Sequence, residues 1–222
     1  MAARALVVVA HPDDETLFFG GLVASRSDME WHLVCATQAT TRARERCLEL
    51  ERAGHDLGFF KIHIWDFVDD PELRIPVNDL AERLQGLGHF DEVYTHGPLG
   101  EYGHPHHRDV CLAVHRTYRQ VWSVATSVYP HQRVLLSEAV FARKSQILRE
   151  IYAQEVVRFL LTLPMSSVEG FVQLSLEEVE SLQSGSREGV VVHRELLDLI
   201  EQGAVEHCAR TFISGYLAAQ GN

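Results

Sequence analysis

The run Val7-Val8-Val9-Ala10-His11-Pro12-Asp13-Asp14-Glu15 sets one histidine and two adjacent carboxylates directly after a short apolar stretch. Histidine and aspartate are ordinary ligands of Zn²⁺, and a catalytic zinc site keeps one position open for water. On a tight turn, His11 and Asp14 can aim at one ion while Asp13 stands beside it. A carboxylate there can take a proton from water, whose pKa a bound Zn²⁺ lowers to about 7. The bland reading of the same residues is a polar turn capping a helix, because Asp is favoured at N-caps and Pro in turns.

The third ligand has one strong candidate stretch, Gly100-Glu101-Tyr102-Gly103-His104-Pro105-His106-His107. His107 completes a set of three protein ligands with His11 and Asp14. His104 falls on the same rim, suited to stabilise an oxyanion or to protonate a leaving group. Tyr102 brings a phenol beside it as a second donor. The bland reading of this stretch alone is a surface histidine cluster; joined to the first, it describes metal-assisted hydrolysis. His96, at the end of the preceding strand, either lines the pocket or is a buried, satisfied histidine. The metal is expected to be Zn²⁺, with Fe²⁺ open, since His and Asp serve both.

The elements needed to hold two such clusters together are legible along the chain. Ala5 to Ala10, Trp31 to Ala36, Lys61 to Trp65, Asp91 to Thr95 and Val121 to Tyr129 read as strands. Between them, Glu15 to Ser25, Arg42 to Leu57 (closed by Gly58), Val77 to Leu87 and His107 to Arg119 (started by Pro105) read as helices. This alternation predicts an α/β, Rossmann-like fold: a mostly parallel sheet with helices on both faces. Both clusters then follow a strand, at the carboxyl edge where such sheets bind ligands. Ser137 to Val157, Leu174 to Leu182 and His193 to Leu217 read as helical, with turn-rich Gln183-Ser184-Gly185-Ser186 between the last two. The expected organisation is one domain over 1–222, a core of about 5–155 and a helical C-terminal segment of about 160–222. That segment is read as a cap on the sheet or as a contact between copies in a homo-oligomer.

Ala10-His11-Pro12-Asp13-Asp14-Glu15, taken with Tyr102-Gly103-His104-Pro105-His106-His107, resembles the LmbE-like (PIG-L) N-acetylglucosamine deacetylases. These include the mycothiol and bacillithiol biosynthetic deacetylases. The resemblance implies a Rossmann-like fold and usually zinc, with His11, Asp14 and His107 as ligands. It implies Asp13 as general base and transition-state roles for His104 and Tyr102. It extends to Arg46-Cys47-Leu48-Glu49 with Ala53 and Leu57-Gly58, and more loosely to Lys144 through Gln154. Asp66 sits where the family often has a substrate-contacting aspartate, although it could equally cap a loop. Arg46 is assigned to the substrate pocket, yet its spacing from Glu49 also suits an ordinary helical ion pair. The family commonly reads His-Pro-Asp-His, where this chain has His106 in place of the aspartate. That aspartate would orient His104; Asp109 or Glu101 are the residues that could stand in for it, and His106 is assigned to face substrate.

Composition narrows the partners. The chain has 222 residues, 46% hydrophobic and 23% charged, which is ordinary for a soluble globular protein. A net charge of −11 argues against nucleic acid, whose phosphates it would repel. No apolar run approaches the length of a membrane span, and Met1-Ala2-Ala3-Arg4 leads directly into the first strand, unlike a cleavable signal. Cys35, Cys47, Cys111 and Cys208 form no CxxC pair, so the expected compartment is the reducing cytoplasm. The leading expectation is hydrolytic N-deacetylation of a small N-acetylated amino sugar, such as a GlcNAc-containing glycoside, sugar nucleotide or natural-product sugar. Two others stand beside it: an amidase on a larger acyl or thiol-conjugate amide, and a non-catalytic metal- or nucleotide-binding protein. The absence of GxGxxG after the first strand counts against the last.

Overall fold

The computed structural model describes residues 2–70, 72–125, 129–156 and 167–185. In chain order the elements are β1 (Ala3–Val9), α1 (Asp14–Ser25), β2 (Met29–Ala39), α2 (Ala43–Leu57), β3 (Lys61–Asp69), α3 (Val77–Gln85) and β4 (Glu92–Thr95). Then follow α4 (Pro105–Thr117), β5 (Trp122–Val124), β6 (Gln132–Leu135), α5 (Glu138–Glu150), α6 (Ala153–Val156), β7 (Val168–Gln173) and α7 (Leu176–Gly185).

Among the described residues the strands form one seven-stranded sheet, in the order β3-β2-β1-β4-β5-β7-β6. Strands β1 to β5 pair in parallel, while β7 runs antiparallel to both β5 and β6. The α/β architecture with a mostly parallel sheet agrees with the sequence reading. Strand β1 lies at the centre and is buried on both faces. Ala5, Val7 and Val9 join one apolar layer with α1, α2 and α5; Leu6, Val8 and Ala10 join the other with α3 and α4. The alternation is the two-residue period of an extended strand, and two-sided burial explains why the run reads as continuously apolar.

The chain winds from β1 outward through β2 and β3, then returns to place β4 on the other side of β1. Neighbouring β1 and β4 therefore diverge in connectivity at their carboxyl ends, the crevice where open α/β sheets take ligands. His11 follows β1 and His96 to His107 follow β4, so topology alone delivers both sequence clusters to one place.

Local chemistry sets the elements. Gly58 closes α2 in the left-handed conformation (φ 103°), its N–H donating to the Gly54 and His55 carbonyls. Pro105 opens α4, where its missing N–H costs nothing. Helix α1 is apolar nearly all round because it is buried from Asp14 through Val23. A buried ion pair attaches to its backbone in the middle. Lys144 Nζ donates to the Leu17 carbonyl (2.8 Å) and to Glu169 (2.6 Å), whose oxygens accept the N–H groups of Gly21 (2.8 Å) and Leu22 (2.7 Å). A Cβ on Gly21 would lie 2.2 Å from Leu136 Cδ2 and 2.8 Å from Glu169 Oε1, which accounts for glycine inside a helix.

Two features depart from expectation. Of the strand read over Val121 to Tyr129, the described residues show the three-residue β5, and β6 and β7 were not anticipated. Strand β7 lies beyond residue 160, in the stretch read as a helical extension, yet it sits between β5 and β6 in the sheet. Its sequence, Val-Glu-Gly-Phe-Val-Gln, is short, and its glycine and glutamate weaken the strand signal; Phe171 and Glu169 are instead used in the core and in the α1 wedge. Helix α7 matches Leu174 to Leu182, while the expected helix His193 to Leu217 lies outside the described residues. No helix among the described residues is long and apolar enough to cross a membrane.

Candidate active site

The turn after β1 is tightly specified. Asp13 has φ 115°, ψ −31°, a conformation that a side chain other than glycine's rarely adopts. Surrounding bonds impose it: Asp13 N–H donates to Glu15 Oε2 (3.0 Å), and the Asp13 carbonyl accepts from Thr16 and Leu17 (3.1 and 2.9 Å). Arg46, reaching over from α2, donates Nη2 to the Pro12 carbonyl. The Asp13 side chain makes no capping bond to α1, so the turn is not the helix-capping device that its sequence permits. Strain of this kind, of order 1–3 kcal/mol, persists where the structure around it fixes the geometry.

Asp14 faces inward from the first turn of α1. Its Oδ2 accepts the His11 N–H (2.8 Å) and lies 3.3 Å from His11 Nδ1 and 3.4 Å from His107 Nε2. His107 Nε2 and His11 Nδ1 are themselves 3.2 Å apart. Three ligand-type atoms thus form a nearly equilateral triangle. A tetrahedral Zn²⁺ with bonds of about 2.0–2.1 Å separates its ligand atoms by about 3.3–3.4 Å, so the donor set and its spacing fit a divalent ion.

Carboxylates behind the imidazoles orient them. Glu101 Oε2 accepts from Nδ1 of His107 and lies 3.1 Å from Nδ1 of His96, while Glu101 Oε1 accepts the Gly97 N–H (2.8 Å). His107 consequently turns its Nε2 lone pair toward Asp14, the usual arrangement of a metal-binding histidine. Glu101 is buried, but the histidines on either side hold its carboxyl far below the ordinary range. His96 Nε2 accepts the Ala10 N–H (2.9 Å), so His96 is a buried bracket between β1 and the Glu101 loop. Gly100 (φ 66°) makes that loop possible; a Cβ there would meet the His104 carbonyl at 2.5 Å.

The electrostatics separate the two adjacent aspartates. Burial, reinforced by the Asp14 charge and opposed by Arg46 and His11, lifts the Asp13 carboxyl well above the usual carboxylate range. Burial pushes Asp14 the same way, but His107 and His96 outweigh it and Asp14 falls well below that range. Burial disfavours charge on His11, yet Asp14 and Asp69 on its two sides raise its pKa to about 10, so this ring occupies a locus that strongly attracts a cation. Burial and the neighbouring His11 and His107 lower His104 to about 3, which leaves it neutral. His104 Nδ1 accepts the His106 N–H (3.3 Å) as the N-cap of α4. In the neutral ring Nε2 then carries the hydrogen, on a ring packed edge-on to His11 at 4.6 Å between centroids. Tyr102 Oη stands 3.5 Å from His107 Nε2, on a partly exposed side chain.

His11, Asp13, Asp14, Tyr102, His104 and His107 therefore come together. Arg46 joins them, its Nη2 3.6 Å from Asp13 Oδ2, and it also forms the helical pair with Glu49 (3.2 Å). Asp66 does not: it is exposed on β3 and paired with Arg83. Strand β3 runs four residues past Trp65, with a pairing irregularity opposite Cys35 and Thr37, and it is Asp69 that reaches His11 Nε2, at 3.3 Å. His106 is fully buried, and both ring nitrogens have protein partners, so it turns inward rather than toward an opening. Asp109 is held by Arg74 and the Ile75 N–H, away from His104. Asp69 was missed as a site residue; His96, left open between pocket lining and a buried histidine, is the buried one, and Glu101, named as a possible orienter of His104, holds His107 instead. The turn is also supported from later in the chain: Tyr152 Oη donates to Glu15 (2.9 Å), and Glu155 lies 3.5 Å from Arg46.

Comparison with known proteins accords with this geometry. The chain is 26% identical over 125 residues to the uncharacterized protein L374 of Acanthamoeba polyphaga mimivirus, covering 49% of this chain and 55% of that one. It thus spans only about half the length of that relative. Its fold is similar to an N,N'-diacetylchitobiose deacetylase from Pyrococcus horikoshii (TM-score 0.60, 20% identity, 79% of this chain and 85% of that one). It is also similar to the teicoplanin deacetylase Orf2 in its zinc-inhibited form (TM-score 0.58, 14% identity, 71% and 86%). Residues 6–118 match the PIG-L family, described as GlcNAc-PI de-N-acetylase. That span carries the whole His/Asp cluster from His11 to His107, and the chain belongs to the PIG-L family.

Proposed function

We propose that this chain is a metal-dependent hydrolase that removes the acetyl group from a small N-acetylated amino sugar. One observation carries the reading: the triangle of His11, Asp14 and His107 with the Asp13 carboxyl on the same turn. A bound divalent ion, Zn²⁺ in the first instance, would supply Lewis acidity that polarises an amide carbonyl and acidifies water.

The chain's own groups do the rest. Asp13 is the base: its elevated pKa makes it a competent acceptor of a water proton and, once protonated, a competent donor to the departing amine. Water and amide are consumed, acetate and free amine are formed, and Asp13 returns to its starting state. Arg46 beside it limits how far that pKa rises. His104, neutral and donating through Nε2, and the Tyr102 hydroxyl supply hydrogen bonds for negative charge developing on the acetyl oxygen. Family membership and two neighbours that are themselves deacetylases support an acetylated amino sugar as substrate. The free Cys35, Cys47 and Cys111 and the net charge of −11 fit a cytoplasmic enzyme without a nucleic-acid partner.

The test is acetate release from a panel of N-acetylglucosamine glycosides by protein loaded with Zn²⁺ or Fe²⁺, with and without chelator. Release that stops on chelation and returns with metal is expected. Release indifferent to chelator, or none across the panel, overturns the proposal.

A further inference from the structure

The two ring nitrogens of His11 face two different settings. Nδ1 points at Asp14 and His107, the triangle described above. Nε2 points the other way, 3.1 Å from His106 Nδ1 and 3.3 Å from Asp69 Oδ1. His106 is fully buried on the first turn of α4, and its own Nε2 lies 2.9 Å from the Asp70 carbonyl and 3.0 Å from the Leu73 carbonyl. A carbonyl only accepts, so the hydrogen-bond network assigns the His106 hydrogen to Nε2. In that tautomer His106 Nδ1 is a lone pair, and it can only accept from His11 Nε2–H. A His11 ring that donates through Nε2 offers Nδ1 as the lone pair for a cation.

We propose that His106 is a positioning residue: it relays the backbone carbonyls of Asp70 and Leu73 to His11 and thereby fixes which His11 nitrogen faces the metal locus. This rests on the metal-centre reading above and deepens it. Metal-binding histidines generally have their second nitrogen held, and loss of the holding partner typically lowers metal affinity 10–100-fold. Here the fully buried holder is an imidazole, and that choice has a structural consequence. A carboxylate at position 106 could accept from His11 but could not donate to the loop; the imidazole does both. The loop is pinned a second time on the same helix, since Asp109 accepts from the Arg74 guanidinium (2.8 Å) and the Ile75 N–H (3.1 Å). Asp70 and Leu73 are thus coupled to the orientation of a ligand that follows β1. Asp69, partly exposed, flanks the same His11 nitrogen and adds charge to the contact.

Two variants separate the relay from simple packing. His106→Phe keeps the ring volume and removes both contacts. His106→Asn puts an acceptor near the former Nδ1 while also giving up the loop contact. Zn²⁺ affinity of each metal-free protein is measured by competition with a chromophoric chelator, alongside thermal unfolding. His106→Phe is expected to bind Zn²⁺ 10–100-fold more weakly, and His106→Asn to stay within a few-fold of wild type, although both lose thermal stability. Equal affinity of His106→Phe and wild type overturns the relay, as does equal weakening in both variants. A second equivalent of Zn²⁺ that disappears in His106→Phe also overturns it, because Nδ1 would then be a ligand. Failure of wild type itself to bind Zn²⁺ or Fe²⁺ brings down the metal-centre reading, and the relay with it.

Discussion

Glu101 and His107 act as one unit: the carboxylate takes the Nδ1–H of the imidazole and leaves Nε2 facing Asp14 Oδ2 at 3.4 Å. The same carboxylate is tied to the Gly97 N–H, so its position is set by backbone rather than by the ring it orients. Glu101→Gln keeps the shape and removes the charge. Its Zn²⁺ affinity should fall by 10–100-fold relative to wild type, read by chelator competition. Unchanged affinity would show that Glu101 serves only to shape the loop.

Asp13 is assigned to the proton and not to the metal. Asp13→Asn should therefore retain Zn²⁺ stoichiometry while losing about 10²–10⁴ in kcat, the usual contribution of a positioned general base. Metal content by mass spectrometry and acetate release on the same preparation separate the two roles. Loss of metal together with activity would instead make Asp13 a ligand.

The Lys144–Glu169 wedge in α1 predicts a sharp stability effect far from the metal locus. Glu169→Ala leaves the Lys144 ammonium buried without its counter-charge and removes the carboxylate that accepts the Gly21 and Leu22 N–H groups. A cost of about 3–5 kcal/mol is expected, seen as a lower urea midpoint. Removing Lys144 as well takes away the uncompensated buried charge. The double variant Lys144→Ala/Glu169→Ala should be more stable than Glu169→Ala alone, and the opposite order would refute the wedge.

At the other end of the sheet, Arg26 pairs bidentately with Glu92, which also accepts from Tyr94 Oη. Burial works against ionisation of Glu92, but Arg26 and Tyr94 hold its pKa below the ordinary 4.5. A carboxyl depressed in the folded state stabilises above its unfolded pKa and loses that contribution as pH falls through the folded value. The gap in urea midpoint between wild type and Glu92→Gln should therefore be widest near neutral pH and close on acidification below about 4.5. A gap independent of pH would assign the effect to packing.

Most of the parallel half of the fold was legible in the sequence, for a physical reason. Strands β1, β2 and β4 are apolar runs bounded by turn residues, and Gly58 and Pro105 mark helix ends by conformations that few other residues supply. The clustering of His11, Asp13, Asp14, His104 and His107 was legible because ligand types at short spacing followed two such strands. What holds those side chains was not. Glu101, Asp69 and His106 act through distances that close only when β1, β3 and α4 pack. The choice between Asp66 and Asp69 turns on how far an edge strand extends and on an irregular pairing with β2. Strand β7 was hidden because its pairing partners are β5 and β6, and its own six residues carry a glutamate whose task is in another element.

The support that reaches the turn after β1 from Tyr152 and Glu155, and the middle of α1 from Lys144 and Glu169, bears on where the working unit ends. Every proposed ligand, the base and both oxyanion donors lie before residue 118, so a fragment cut there would keep the whole chemical inventory. It would also carry an α1 without the Lys144 and Glu169 contacts at Leu17, Gly21 and Leu22, and a Glu15 carboxylate without its phenol. Such a fragment has the groups of the candidate site without the clamp that keeps them in register, and the smallest unit able to carry the proposed activity is therefore defined by its backing, not by its motif.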